Sequence, residues 1–242
     1  MKILVAVTSA GIDPWRTIEI EGQAKTFGSE VSAGVEIVWI EADESLDNRA
    51  LFRLLNRYTQ ARFASFSGHR SPRSLRALKN LVLGWAGNLA VRTAIPLQTV
   101  LKNAVSQGQR VRISIPSLYH LQTIRTLAAL QYIVNRFEFD YLLRMSSTCY
   151  VDLDELNLFL ANRGIRTTYA GDVYKKRGIN FVGGAGILMS RDIVELVIDS
   201  GSSLRLDVQD DVGFGELIQR LGLAIAESVP RVDVRDTPLE AI

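Results

Sequence analysis

Three short stretches of this sequence hold residues that could do chemistry. The first is "YLLRMSSTCYVDLD", residues 141–154, in which Ser146, Ser147 and Thr148 follow an apolar run. Neutral hydroxyls in such a cluster can donate hydrogen bonds to phosphate or ribose oxygens. They are poor ligands for hard cations, which prefer carboxylate oxygens. The second is "DVQDDVGFGELIQRLG", where Asp210 and Asp211 precede a helical pattern. A carboxylate at a helix start can act as a cap, or as a general base that takes a proton from an attacking hydroxyl. The third is "FVGGAGILMS", where Gly183 and Gly184 would let backbone approach a ligand closely. Arg144, just before the hydroxyl cluster, can clamp a phosphate with two parallel hydrogen bonds. Its plainer reading is a solvated charge at a strand end. Lys175, Lys176 and Arg177 read as an exposed loop that could serve the same purpose.

These residues need elements to hold them. "KILVAVT" is a continuous apolar run and reads as a buried strand, ending at Thr8 and Ser9. "VEIVWIEAD" repeats the pattern and ends near Asp43, and "RVRISIP" is a third strand. "NRALFRLLNRYTQARF" has apolar residues at helical spacing, with Arg on the other face. Residues 64–76 are basic and turn-rich and read as a surface loop, and further helical patterns extend to about residue 107. "SLYHLQTIRTLAALQYIVNRF" is a strongly amphipathic helix that carries Arg125 and leads into the strand of "FDYLLRM". "TTYAGDV" and "INFVGGAGILMS" read as strands, a helix is expected over Asp192–Asp199 and another from Asp210, and "LAIAESVPRVDV" reads as a last strand and loop. Strands that alternate with helices predict an α/β layered domain with a mainly parallel sheet. Ligands of such sheets bind beyond the carboxyl ends of the strands. Thr8, Ser9, Asp43 and the hydroxyl cluster are all expected on that edge.

Composition narrows the function classes. The 242 residues suit one domain, and 28 basic against 26 acidic residues give no field that would favour nucleic acid. One cysteine, Cys149, excludes an internal disulfide and a multi-cysteine zinc site; it reads as a small buried residue. His69 and His120 read as surface or helix-face residues, and Met189 as core. The opening "MKILVAVTSAG" reads as a first strand rather than a leader, and no stretch reaches spanning length. A cytoplasmic protein without a membrane span is expected. The apolar segment 81–101 is long enough for an extra core layer or an oligomer contact.

Four segments in order, "YHLQTIRTL", "FDYLLRMSSTCYVDL", "FVGGAGILMSRDIVELV" and "QDDVGFGELIQRLGL", carry a resemblance. Together they are similar to the catalytic half of GT-A glycosyltransferases of the β-1,3-galactosyltransferase and Fringe family. The likeness runs from about Tyr119 to Leu221. It implies a GT-A fold over residues 1–242, with a nucleotide-binding half (1–118) and a donor and acceptor half (119–242). It also implies inverting transfer from a nucleotide-diphospho-sugar, a UDP-sugar by family habit, to a glycan, lipid-linked or protein hydroxyl.

The family's aspartate triad, which holds a divalent ion, is replaced here by Ser146, Ser147 and Thr148. The family's late histidine ligand is also missing, since both histidines lie upstream of the cluster. A metal-independent site with no cofactor is therefore expected, although Asp152 and Asp154 lie close enough in sequence to offer an unusual geometry. The resemblance places Asp211 on the family's catalytic aspartate, with Asp210 as the reserve. It places Arg125 where the family has a lysine, and Gly183 and Gly184 beside the sugar. A degenerate relative that binds sugar nucleotide or glycan without catalysis, or that scaffolds a partner enzyme, is the alternative.

Overall fold

In the computed structural model, the described residues are 1–9, 17–25, 34–43, 105–107, 109–115, 121–163, 166–176, 178–206 and 208–226. The strands β1 (Ile3–Thr8), β2 (Val35–Ala42), β4 (Arg110–Ile113) and β5 (Tyr141–Ser146) run parallel side by side. With β3 (Val105–Gln107), β6 (Tyr169–Ala170) and β9 (Gly186–Ser190) they form one mixed sheet of seven strands, in the order β3-β4-β2-β1-β5-β9-β6. The two strands that run against the rest are β3, paired with β4, and β9, set between β5 and β6. β7 (Val173–Lys176) and β8 (Ile179–Val182) form a separate antiparallel hairpin.

The central strands are apolar at nearly every position because both sheet faces are covered. On one face Leu4, Ala6, Val38, Ile40, Leu142 and Ile187 meet the helices α1 (Gln122–Arg136), α3 (Arg191–Asp199) and α4 (Asp210–Arg220). On the other, Val5, Val7, Ile37, Trp39, Leu143 and Met145 meet α2 (Leu153–Ala161). Side chains alternate along a strand, so Arg144 must share a face with Leu142. That is the face of α1 and α4, and the site depends on this parity. Among the described residues, no helix is long and apolar enough to cross a membrane.

Several boundaries differ from those read in the sequence. Residues 105–107 are a strand rather than the end of a helix, because they form a short hairpin with β4. "INFVGGAGILMS" is two strands, β8 and β9, since the chain turns between Gly183 and Gly186 with Gly186 N–H donating to Gly183 O. "TTYAGDV" is likewise divided between β6 and β7. α1 begins at Gln122, within the stretch assigned to it. Of the expected last strand, only a bridge from Ala226 to Ala170 lies in the described residues. The helix expected over 48–63, the basic loop 64–76 and the apolar segment 81–101 lie outside them, as do His69, His120 and Arg177.

Candidate functional site

The register of the sheet brings Thr8 beside Ser146 and Ile40, so β1, β2 and β5 end at one edge. There the chain leaves β5 in a tight turn. Cys149 N–H donates to Ser146 O, Ser147 N–H to Thr8 O, and the hydroxyls of Ser146 and Thr148 lie 3.1 Å apart. The cluster is therefore partly self-satisfied, with Ser147 buried and Thr148 exposed. The Thr8 hydroxyl is also engaged, donating to Met145 O at 3.1 Å. Ser9 is buried, with its N–H on Ile40 O.

The glycine turn reaches the same place. Ser146 N–H donates to Ala185 O at 3.3 Å, which ties the hydroxyl turn to residues 183–186. Gly184 N–H in turn donates to Asp211 Oδ2 at 3.2 Å. Asp210 and Asp211 open α4, whose N-cap is Gln209, so neither carboxylate is the cap. Their negative charge sits where the helix dipole favours it. A Cβ on Gly184 would lie 3.1 Å from Arg144 Nη1 and 3.4 Å from Asp211 Oδ2, a tight fit against both side chains.

Arg144 and Asp210 take different places from those expected of a phosphate ligand and a reserve base. Each side chain is 1% exposed, and they pair with each other, Nη2 to Oδ2 at 2.5 Å. Arg144 Nη1 also donates to Gly184 O at 2.5 Å. Thr126 of α1 donates its hydroxyl to Asp210 Oδ2 at 2.8 Å, and Asp211 N–H donates to Asp210 Oδ1 at 3.0 Å. The guanidinium lies in the interior rather than at a solvated strand end, where it faces the Asp210 carboxylate. Asp210 offers no face to an acceptor.

Asp211 is the carboxylate that remains at the edge, half-buried. Burial raises its proton affinity above that of an ordinary aspartate, and the Asp210 charge adds to this. The N–H groups of Val212 and Gly184, and the Arg144 charge, act in the opposite direction without cancelling the rise. Tyr169, on β6, is also near enough to feel both aspartates, and burial holds its phenol strongly neutral.

The structure thus brings together Thr8, Arg144, Ser146, Ser147, Thr148, Gly183, Gly184, Asp210 and Asp211. Asp43 follows β2 at the same edge, one strand further from β5, and bonds through its N–H to Ile115 O. Arg125 is buried on α1, next to Thr126. Lys175 and Lys176 are exposed on β7. Cys149 is half-buried against the α2 side of the core.

Two contributors escaped sequence reading. Gln23, in the π-helical segment Ile18–Gln23, donates to Cys149 O at 2.6 Å and so braces the hydroxyl turn. Thr126 gave no signal either. Arg144 did give one: an arginine inside an apolar strand calls for a buried acid.

Among the described residues at this edge, the hydroxyl turn and the α2 cap suit a divalent ion poorly. The hydroxyl turn supplies weak neutral donors, and Asp152 is occupied as the N-cap of α2, accepting from Asp154 N–H and Glu155 N–H. Among the described residues, no three of His, Cys, Asp and Glu group as a metal site.

No protein-family model matches this chain, and no curated protein matches it significantly.

Proposed function

We propose that this protein is a GT-A glycosyltransferase that moves a sugar from a nucleotide-diphospho-sugar to a hydroxyl acceptor in the cytoplasm, with inversion and without a metal ion. The observation that carries this reading is the position of Asp211. Its carboxylate is half-buried, raised in proton affinity, and bonded to the glycine turn beside the end of β5. The segments on which the family resemblance rests converge there, although they lie far apart in the chain. In this reading the acceptor hydroxyl approaches Asp211. It loses its proton to the carboxylate as its oxygen attacks the anomeric carbon from the face opposite the leaving group. Such a base works within about 2.6–3.2 Å of the hydroxyl oxygen. The leaving nucleoside diphosphate gains charge as the glycosidic bond breaks. The hydroxyls of Ser146 and Thr148 are the donors nearest to hand, and Lys175 and Lys176 are the exposed cations of the neighbouring hairpin. Calorimetry with a nucleoside diphosphate in the presence of a chelator tests the donor site. Binding is expected, and Ser146→Ala with Thr148→Val should weaken it. Absence of binding at millimolar ligand would count against the reading.

A second reading has an observation in its favour. Ser146 and Thr148 bond each other, and Arg144 is neutralised by Asp210, as they would be in a non-catalytic relative that only binds sugar nucleotide or glycan. Tight binding with no transfer or hydrolysis across a panel of sugar nucleotides would favour it.

A further inference from the structure

We propose that Arg144 and Asp210 are positioning residues: their buried pair ties β5, the glycine turn and the start of α4 together so that Asp211 is held at the sheet edge. The inference rests on the reading of Asp211 as the base, and its test does not depend on turnover. Arg144 is rooted in β5 and its side chain is buried. One terminal nitrogen donates to Gly184 O at 2.5 Å, and the other faces Asp210 Oδ2 as an ion pair at 2.5 Å without hydrogen-bond alignment. Asp210 is held from two more directions, by the Thr126 hydroxyl of α1 and the Asp211 N–H of α4. Gly184 then returns its N–H to Asp211 Oδ2. The result is a closed ring of three hydrogen bonds and one ion pair: Arg144 to Gly184, Gly184 to Asp211 and Asp211 to Asp210 by hydrogen bonds, and Asp210 back to Arg144 by charge contact. Each link fixes the next, and Asp211 is the member of the ring at the edge.

A planar fork suits this task, because a guanidinium can hold two acceptors in fixed directions at once. An ammonium is a point charge on a flexible stem. The charged and titratable groups that face Asp211 are Asp210 from its own helix, Arg144 from β5 and Tyr169 from β6. After burial, the two members of the pair act on the Asp211 carboxyl in opposite directions, Asp210 raising its proton affinity and Arg144 lowering it.

A buried ion pair can be retained for stability alone, and the experiment separates the two roles. Replacing both partners by apolar residues of similar size often preserves or improves stability. The double variant Arg144→Met, Asp210→Leu should therefore fold with a denaturation midpoint near that of the wild type. The Gly184 amide should nonetheless exchange with solvent about tenfold faster, because its turn has lost its anchor. Arg144→Lys should show the same local loss with the charge kept. If sugar transfer is found, both variants should lower kcat with donor KM little changed. Gly184 exchange at the wild-type rate in a stably folded double variant, or in Arg144→Lys if the double variant does not fold, would overturn the inference. A fully active Asp211→Asn would instead remove the base reading and leave the positioning result intact.

Discussion

A carboxylate that must take a proton from a hydroxyl works better when its own hold on protons is raised toward the operating pH. Asp211 meets this condition through burial and the neighbouring charge of Asp210. Turnover should therefore fall on the acid side, as pH drops through a value above the usual aspartate range; a pH–rate profile flat across that range would contradict the assignment. The same shift has a thermodynamic sign. A group whose proton affinity is higher folded than unfolded contributes stability that is full below its unfolded pKa and lost as pH rises through its folded one. Asp211→Asn should thus raise the melting temperature at neutral pH relative to wild type, and the difference should vanish near about pH 3, where both side chains are neutral. Arg144→Met alone should have the opposite effect. It leaves a buried carboxylate without its cation and should cost about 3–5 kcal/mol by denaturant titration. The place of Asp211 at a helix start was legible in the sequence. The surroundings of Arg144 were not, because they depend on which sheet face position 144 occupies and on an acid 66 residues away. A sequence carries the need for that partner but not its address.

At the scale of elements, continuous apolar runs identified β1, β2 and β5, because strands covered on both faces have no polar alternation to confuse. The glycine stretch was harder to read. Its apolar residues belong to two strands that point different ways, and only the turn separates them. The packing of α4 explains another glycine. A Cβ on Gly215 would lie 2.3 Å from Phe181 Cβ and 2.8 Å from Asn180 O, so the helix backbone rests directly on β8. Gly215→Ala should push α4 away from the hairpin and cost roughly 1–3 kcal/mol, as overpacking does. It should also disturb Asp211 from a distance, which the Gly184–Asp211 amide signals would report. Asp152→Ala removes the α2 cap and should cost about 1 kcal/mol while leaving nucleotide binding unchanged. Loss of binding in that variant would give Asp152 a ligand role instead.

At the scale of the molecule, the described residues form an α/β layer with its strand ends, a glycine turn and a helix N-terminus meeting at one edge. Everything proposed for its function requires that edge to hold a nucleotide sugar beside Asp211. A bound nucleoside diphosphate at one hundred times its Kd should stabilise the fold by about 2.7 kcal/mol, with or without a chelator. Transfer or hydrolysis of a panel of sugar nucleotides, followed with chelator present for the wild type and Asp211→Asn side by side, tests the central claim most directly. The account predicts turnover of at least one donor by the wild type, and a loss of about a hundredfold or more in the variant. Equal rates in the two proteins, or turnover that appears only when manganese is restored, would contradict it.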